Sequence, residues 1–237
     1  MKNYMELKVE KNKITELPRY ERKFTTSVDC QFIENIIKSN PGMFTELFFE
    51  RRVNSIYLDS PTLDNYRNHI SGNSKRFKIR IRWYGETWGN AENPKLEIKI
   101  KNAENGKKMS FLLGELIIDK NIKLSDSLKK SFSKAKLPGW VQEKLKRSFP
   151  TLLVSYTRKY FKSCDSKCRI TLDKNVIFYR PTLGIPSFIH KMTDRHMKIV
   201  EFKYNQSYNH KIPGIISFFP FRLSANSKYV KGIEVYL

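Results

Sequence analysis

Between Lys75 and Tyr84 the chain alternates without exception. Arg76, Lys78, Arg80 and Arg82 are cations, and Phe77, Ile79, Ile81 and Trp83 between them are apolar. A two-residue period is the signature of a β-strand with two unlike faces. One face packs into a core; the other carries four cations with neighbours roughly 6.5–7 Å apart. At an effective dielectric near 20 each neighbouring pair repels by about 2–2.5 kcal/mol before salt screening. No Glu or Thr interrupts the row, so the face is expected to lie against a polyanion.

The remaining strands repeat this pattern. Arg19 to Phe24 reads as a strand with Arg19, Glu21 and Lys23 on one face. A helix capped by Thr26 or Ser27 is expected to run to about Ser39, with Phe32, Ile33, Ile36 and Ile37 as its apolar side. Arg51 to Asp59 is the next strand, and Ser60-Pro61 opens a short helix to about Ile70. After a polar loop at 85–93, Pro94 to Lys101 alternates Leu96, Ile98 and Ile100 with Lys95, Glu97, Lys99 and Lys101. Asn105-Gly106 signals a hairpin, returning a strand through Lys107, Lys108, Phe111 and Leu113. Two helices fill 125–148, divided at Leu137-Pro138-Gly139. Val154 to Phe161 carries Arg158 and Lys159. Arg169–Asp173 and Val176–Tyr179 pair around a Lys174-Asn175 turn. Ile199 to Tyr204 sets Glu201 and Lys203 against Val200, Phe202 and Tyr204. A short helix follows Pro213. Residues 1–17 are weakly patterned and expected to be poorly ordered, and 18–237 read as one domain.

Composition supports a packed domain with an anionic partner. The 237 residues hold 45 Lys and Arg against 23 Asp and Glu, a net charge of +22, spread from end to end. That balance points to nucleic acid, an anionic membrane surface or a phosphate-rich substrate. Three cysteines make no complete disulfide framework. Cys164-x-x-x-Cys168 lacks the second pair a zinc site requires. No signal peptide and no apolar run of membrane-spanning length is read, so a reduced, cytoplasmic protein is expected.

Sheets with charge on one face and apolar residues on the other close well into a barrel: the apolar faces turn out toward the helices and the cations line a lumen. The expected fold is therefore α+β, a closed antiparallel β-barrel, or tunnel, with a cationic lumen flanked by helices. Burying cations is prohibitive unless a ligand compensates. A phosphate chain does so through charge and bidentate Arg contacts. Glu21, Glu97 and Glu201 stand on cationic faces and are candidate ligands for a divalent metal bridging phosphate oxygens. They are also read as ion-pair partners of neighbouring lysines.

Arg19-x-Glu21-x-Lys23, Lys78-x-Arg80-x-Arg82-x-Tyr84-Gly85, Glu97-x-Lys99, Arg169-x-Thr171-x-Asp173, Glu201-x-Lys203 and Ser227-Lys228-Tyr229 resemble, in that order, the VTC domain. This is the polyphosphate-polymerase branch of the CYTH, or triphosphate tunnel metalloenzyme, superfamily. The resemblance implies a metal-dependent phosphotransferase that moves the terminal phosphate of ATP onto inorganic polyphosphate, with Mn²⁺ or Mg²⁺. It implies that Lys23, Arg80, Arg82 and Lys228 act at the reacting phosphates. Lys99, Lys108, Arg169 and Ser227 would grip the chain, joined by Arg76, Lys78, Arg158 and Lys203 on the same faces. Glu201, with Glu21 and Glu97, would hold the metal. Arg19 replaces the first Glu of the superfamily's opening motif. His69 stands where eukaryotic members carry a phosphate-binding Arg, a charge Arg76 supplies.

Phosphoryl transfer asks the protein chiefly for positioning and charge stabilisation, and no Ser–His or Cys–His arrangement is evident. Two other readings are a tripolyphosphate or RNA 5′-triphosphate hydrolase of the same fold, and a non-catalytic binder of polyphosphate or nucleic acid. Nucleic acid is not the expected partner, because Phe77, Trp83, Tyr57 and Tyr160 read as core rather than as stacking platforms.

Overall fold

The computed structural model describes residues 19–102, 105–119, 123–181 and 188–237; the segment 1–17 lies outside them. One antiparallel sheet organises the chain. Its strands are β1 (Arg19–Thr26), β2 (Thr45–Asp59), β3 (Lys75–Tyr84), β4 (Gly89–Asn102), β5 (Asn105–Leu112), β6 (Leu116–Ile118), β7 (Phe149–Lys162), β8 (Cys168–Pro181), β9 (Phe188–Asp194) and β10 (Lys198–Asn205). The spatial order is β1-β10-β8-β7-β2-β3-β4-β5, with β6 on β4 and β9 on β8. The helices are α1 (Cys30–Lys38), α2 (Asp64–Ile70), α3 (Leu124–Ser133), α4 (Gly139–Lys146), α5 (Ile212–Ile216) and α6 (Lys228–Glu234).

The closed barrel expected from the alternation is not formed by the backbone ladder. β1 and β5 stand at the two ends of the strand order, with no pairing between them among the described residues. The sheet nevertheless curls. Lys99 of β4 lies within electrostatic reach of Glu21 and Lys23 of β1 and of Lys203 and Glu201 of β10. The result is an α+β trough whose charged faces converge across a concave side.

Apolar residues sort accordingly. On the convex side Ile56, Ile79, Ile81, Trp83, Leu96 and Ile98 pack with Leu124 and Leu128 of α3 and Val141 and Leu145 of α4. Further round, Phe24, Phe161, Ile170, Leu172, Val200 and Phe202 meet Ile33 and Ile37 of α1 and Ile212 and Ile215 of α5. A third cluster joins Tyr57, Leu152, Val154, Val176, Phe178 and Ile199 to Tyr229 and Ile233 of α6. These strand residues share the parity of the charged positions, so α6 covers one end of the concave face. Gly232 permits that approach: a Cβ there would fall 2.4 Å from Leu152 Cδ2 and 2.7 Å from Phe178 Cδ1.

Several local expectations are corrected. The cap of α1 is Asp29, whose carboxylate accepts from Gln31 N. β2 begins at Thr45, six residues before the expected start. β4 begins at Gly89, inside the expected loop. Asn102 pairs with Asn105, so Asn105-Gly106 starts β5 rather than forming the expected turn; residues 103–104 lie outside those described. α2 begins at Asp64 rather than at Pro61, because the buried Asp59 carboxylate accepts from Ser60 N, Asn65 N and Tyr66 N. Lys174-Asn175 is not a hairpin turn but an irregularity inside the continuous β8. Asn175 sits at φ 53°, and the register with β7 shifts between Ser155 and Thr157. An inserted residue of this kind flips side-chain parity. Thr171 and Asp173 therefore share the concave side with Val176 and Phe178 rather than with Ile177.

Candidate functional site

Alternation on β3 places Lys78, Arg80 and Arg82 on the concave face, and β4 opposes them in register: Lys78 to Lys99, Arg80 to Glu97, Arg82 to Lys95. Glu97 is the counter-charge of this corner. Arg80 Nε and Nη2 donate to its Oε2 at 2.7 and 2.6 Å, Lys108 Nζ of β5 lies 2.9 Å from its Oε1, and Arg82 Nη1 is 3.9 Å away. Burial would raise the Glu97 carboxyl, but these three cations hold it well below the usual carboxylate range. Arg82 is otherwise lightly engaged, reaching Ser55 Oγ and the Tyr156 hydroxyl at 3.3 Å each.

The facing wall comes from β7, β8 and α6. Asp173, fully buried, accepts from Arg158 Nε and Nη2 at 2.5 and 2.7 Å and from Lys228 Nζ at 2.5 Å. Burial opposes its charge, yet Arg158 and Lys228 hold its carboxyl below the ordinary value. Tyr57 stacks on Tyr229, with ring centroids 5.0 Å apart. Burial would raise its phenol, but Arg80, Arg82 and Lys228 bring it down, so the two cationic walls meet over its hydroxyl. Ser227 caps α6 and takes a hydrogen bond of 3.0 Å from Lys78 Nζ. Lys78 is the most strained cation: burial, with Lys23, Lys99, Arg80 and Arg76 around it, pushes its pKa down to about 7. His69 shares that environment, and burial with Lys78 and Arg76 lowers it to about 4.

On the third wall, Lys23 of β1 stands opposite Glu201 of β10, and Glu21 opposite Lys203. Lys23 Nζ is 2.5 Å from Glu21, and Lys203 Nζ is 2.5 Å from Glu201 and 3.7 Å from Glu21. Burial raises the Glu21 carboxyl and so does the Glu201 charge, before Lys23 and Lys203 bring it below its ordinary value. The two carboxylates are therefore neighbours, with the Lys203 ammonium within 4 Å of both. Thr171, opposite Glu201 in the ladder, has a buried hydroxyl without a hydrogen-bond partner. Two neighbouring carboxylates beside an unpartnered hydroxyl fit a divalent cation that also takes phosphate oxygens. Glu97 fits less well: it takes three contacts within 3 Å from Arg80 and Lys108, whereas Glu21 and Glu201 take one each, from Lys23 and Lys203. Among the described residues no group of three His, Cys, Asp or Glu forms a metal cage by itself.

Thus Lys23, Lys78, Arg80, Arg82, Lys99, Lys108, Arg158, Lys203, Ser227 and Lys228 converge on one trough. Arg76 sits at its edge beside Lys78 and His69. Arg169 lies at the rim, exposed, lining a groove with Lys162 and Lys203. The clamp role of Asp173 escaped the sequence reading. Its even spacing from Arg169 and Thr171 marks the face it occupies but not its partners, which come from β7 and from α6.

Comparison with known proteins agrees with this architecture. The family model of the VTC domain matches residues 1–237, and the chain belongs to that family. No curated protein matches it. A candidate adenylate cyclase from Vibrio parahaemolyticus superposes with a TM-score of 0.50 at 11% identity, over 91% of this chain and 98% of that one. A candidate adenylate cyclase from Bacillus halodurans gives 0.48 at 13% identity, over 90% and 97%. The PH1819 protein of Pyrococcus horikoshii OT3 gives 0.47 at 15% identity, over 92% and 97%. At 11% identity the likeness to the Vibrio protein is one of fold. Among the described residues no helix is long and apolar enough to cross a membrane.

Proposed function

We propose that the trough binds a chain of phosphates and transfers the terminal phosphate of ATP to the end of an inorganic polyphosphate. The observation that supports this most is the concentration of cations from separate strands on one concave face, with Arg82 lightly paired and Lys78 pushed to about 7. Such a face is complete only with a polyanion along it. A phosphate chain supplies charge at regular intervals and accepts forked Arg contacts. The curled sheet, lined on both sides by strand-borne cations, would enclose the chain as the tunnel of the family does.

Arg80, Arg82, Arg158 and Lys228 would hold the transferring phosphate and the charge that builds on it. Lys23 and Lys99 would hold the next phosphates. Asp173 keeps Arg158 and Lys228 aimed, and Ser227 lies within reach of the same phosphates. The nucleophile is a terminal phosphate oxygen of the acceptor, already anionic at neutral pH, so no protein base is required. Glu201 and Glu21 would hold Mn²⁺ or Mg²⁺, which supplies charge neutralisation between phosphate oxygens.

Incubation with ATP and Mn²⁺, followed by separation of products by chain length, tests the reading. Polymers longer than three phosphates are expected. Orthophosphate as the sole product would make the protein a hydrolase of the same fold. Glu201→Gln is expected to abolish metal-dependent turnover with the fold intact by circular dichroism. Full Mn²⁺-dependent activity in that variant would assign Glu201 to ion pairing with Lys203.

A further inference from the structure

Away from α6 the trough ends in rings rather than charge. Arg51 of β2 lies six residues before Tyr57, roughly 20 Å along the strand, where the N-terminal part of β2 meets β7. Its guanidinium carbon sits 4.9 Å from the Phe48 ring centroid, 4.7 Å from that of Tyr84 and 4.9 Å from that of Tyr160. Its Nε is buried and has no hydrogen-bond partner. Tyr84 continues the row of Lys78, Arg80 and Arg82, and Tyr160 continues that of Tyr156 and Arg158. Both rings therefore belong to the phosphate-facing side rather than the helix-covered one. Tyr160 is buried, as expected, at 7% exposure, but on this side of the sheet. Burial would raise the Tyr84 phenol, but the nearby Tyr160 hydroxyl and the charges of Arg82, Arg158 and Arg51 lower its pKa.

Three rings around a guanidinium are more than an isolated ion contact needs, and two of them remain open: Tyr84 is 41% exposed and Phe48 47%. Cation–π contact fixes Arg51 as one more flat surface in the cluster. Aromatic faces and guanidinium planes are the surfaces on which unpaired nucleobases stack. The nearest cations of the trough, Arg82 and Arg158, adjoin the cluster directly. From Tyr84 to Arg80 the strand advances roughly 13 Å, space for a ribose and a triphosphate laid along the cationic row.

We propose that Tyr84, Phe48 and Arg51 form a nucleobase subsite. It would hold the base of a nucleoside triphosphate at the end of the trough and direct its phosphates inward toward Arg80 and Lys228. This rests on the reading of the trough as a phosphate-transfer site and adds an orientation for the donor. The contacts are to ring faces, so the class recognised is nucleoside triphosphates as such, with ATP and GTP held alike.

The test is calorimetric binding of ATP and of tripolyphosphate, which lacks a base, to the wild type, Tyr84→Ala and Tyr84→Phe. The subsite predicts that Tyr84→Ala weakens ATP about tenfold, leaves tripolyphosphate within twofold, and is rescued by Tyr84→Phe. Parallel weakening of both ligands, an unchanged ATP affinity, or a wild type that does not bind ATP overturns it. Should Tyr84→Ala melt far below the wild type, Phe48→Ala at its exposed neighbour carries the same comparison. Polymer formation with unaltered ATP selectivity in the variants would remove the subsite and leave the polymerase. The expected selectivity change without polymer would leave a nucleotide site and remove the polymerase.

Discussion

Replacing Asp173 with Asn leaves the shape of the trough wall and removes its buried counter-charge. Asp173 is fully buried, and the side chains of its partners Arg158 and Lys228 are 11% and 12% exposed. Breaking a buried ion pair from one side costs about 3–5 kcal/mol, since the remaining charges stay desolvated. Here Glu201, 3.7 Å from Arg158, retains part of the compensation, which puts the expected loss near 3 kcal/mol. For a chain of this size that lowers the melting temperature by about 6–12 °C. A polyanion reverses the balance. With Asp173 neutral, tripolyphosphate becomes the main partner of Arg158 and Lys228, so its stabilising shift should be larger in Asp173→Asn than in the wild type. The pH dependence has a fixed sign. The carboxyl is held low in the fold, so its contribution is present above its unfolded value near 3.9 and is lost as pH falls through the folded one. The gap between wild type and variant should therefore close in strong acid. Thermal melts with and without tripolyphosphate measure all three effects. A variant melting within about 2 °C of the wild type, or gaining less from the ligand, would refute the assignment of Asp173 as the clamp.

The two faces of β3 separate stability from turnover. Ile81→Ala empties a fully buried site in the helix-covered core and should cost about 2–5 kcal/mol, with activity per folded molecule largely kept; a silent melt would mean the faces are inverted. Arg82→Ala removes a lightly paired cation, so the melt should hold while turnover drops at least a hundredfold; retained turnover would exclude Arg82 from the transferring phosphate. Lys78, with its pKa near 7, should take up a proton when a polyanion binds at pH 8, and tripolyphosphate affinity should weaken as pH rises past 7. Binding heats in buffers of different ionisation enthalpy report that uptake, and its persistence in Lys78→Arg would assign it elsewhere. In the empty protein the unfolded chain holds the extra proton, so the penalty Lys78 places on stability eases as pH rises above 7.

Much of this was legible in the alternation. A strand whose cations share one parity declares its face whatever its neighbours, and β3, β4, β7 and β10 were so placed. Parity ceased to be legible where one residue is added. The Asn175 irregularity leaves Thr171 and Asp173 on the same side as Val176 and Phe178, and nothing in Lys174-Asn175 distinguishes a bulge from a hairpin turn. Tyr57 reads as core because it is buried, yet its hydroxyl meets Arg80, Arg82 and Lys228, which reach it from β3 and α6. Alternation alone places Glu97 and Glu201 alike, as carboxylates on cationic faces. Their neighbours separate them: Glu97 gives both oxygens to Arg80 and Lys108, while Glu201 stands opposite Lys23 and Thr171 and makes its one close pair with Lys203. Closure is not written in the alternation, which dictates two faces and curvature; pairing of the last strand with the first is a property of strand count and shear.

The central claim is that the concave face is where phosphate binds. Calorimetric titration of tripolyphosphate into the wild type, Arg82→Ala and Lys129→Ala tests it directly, because Arg82 lines the trough and Lys129 is an exposed cation of α3 on the convex side. The two substitutions change net charge equally. One site per chain is expected, weakened at least tenfold by Arg82→Ala and left within twofold by Lys129→Ala, with affinity falling steeply as salt rises. Equal losses in the two variants, or none in either, would mean that net charge rather than the trough attracts the anion, and would contradict it.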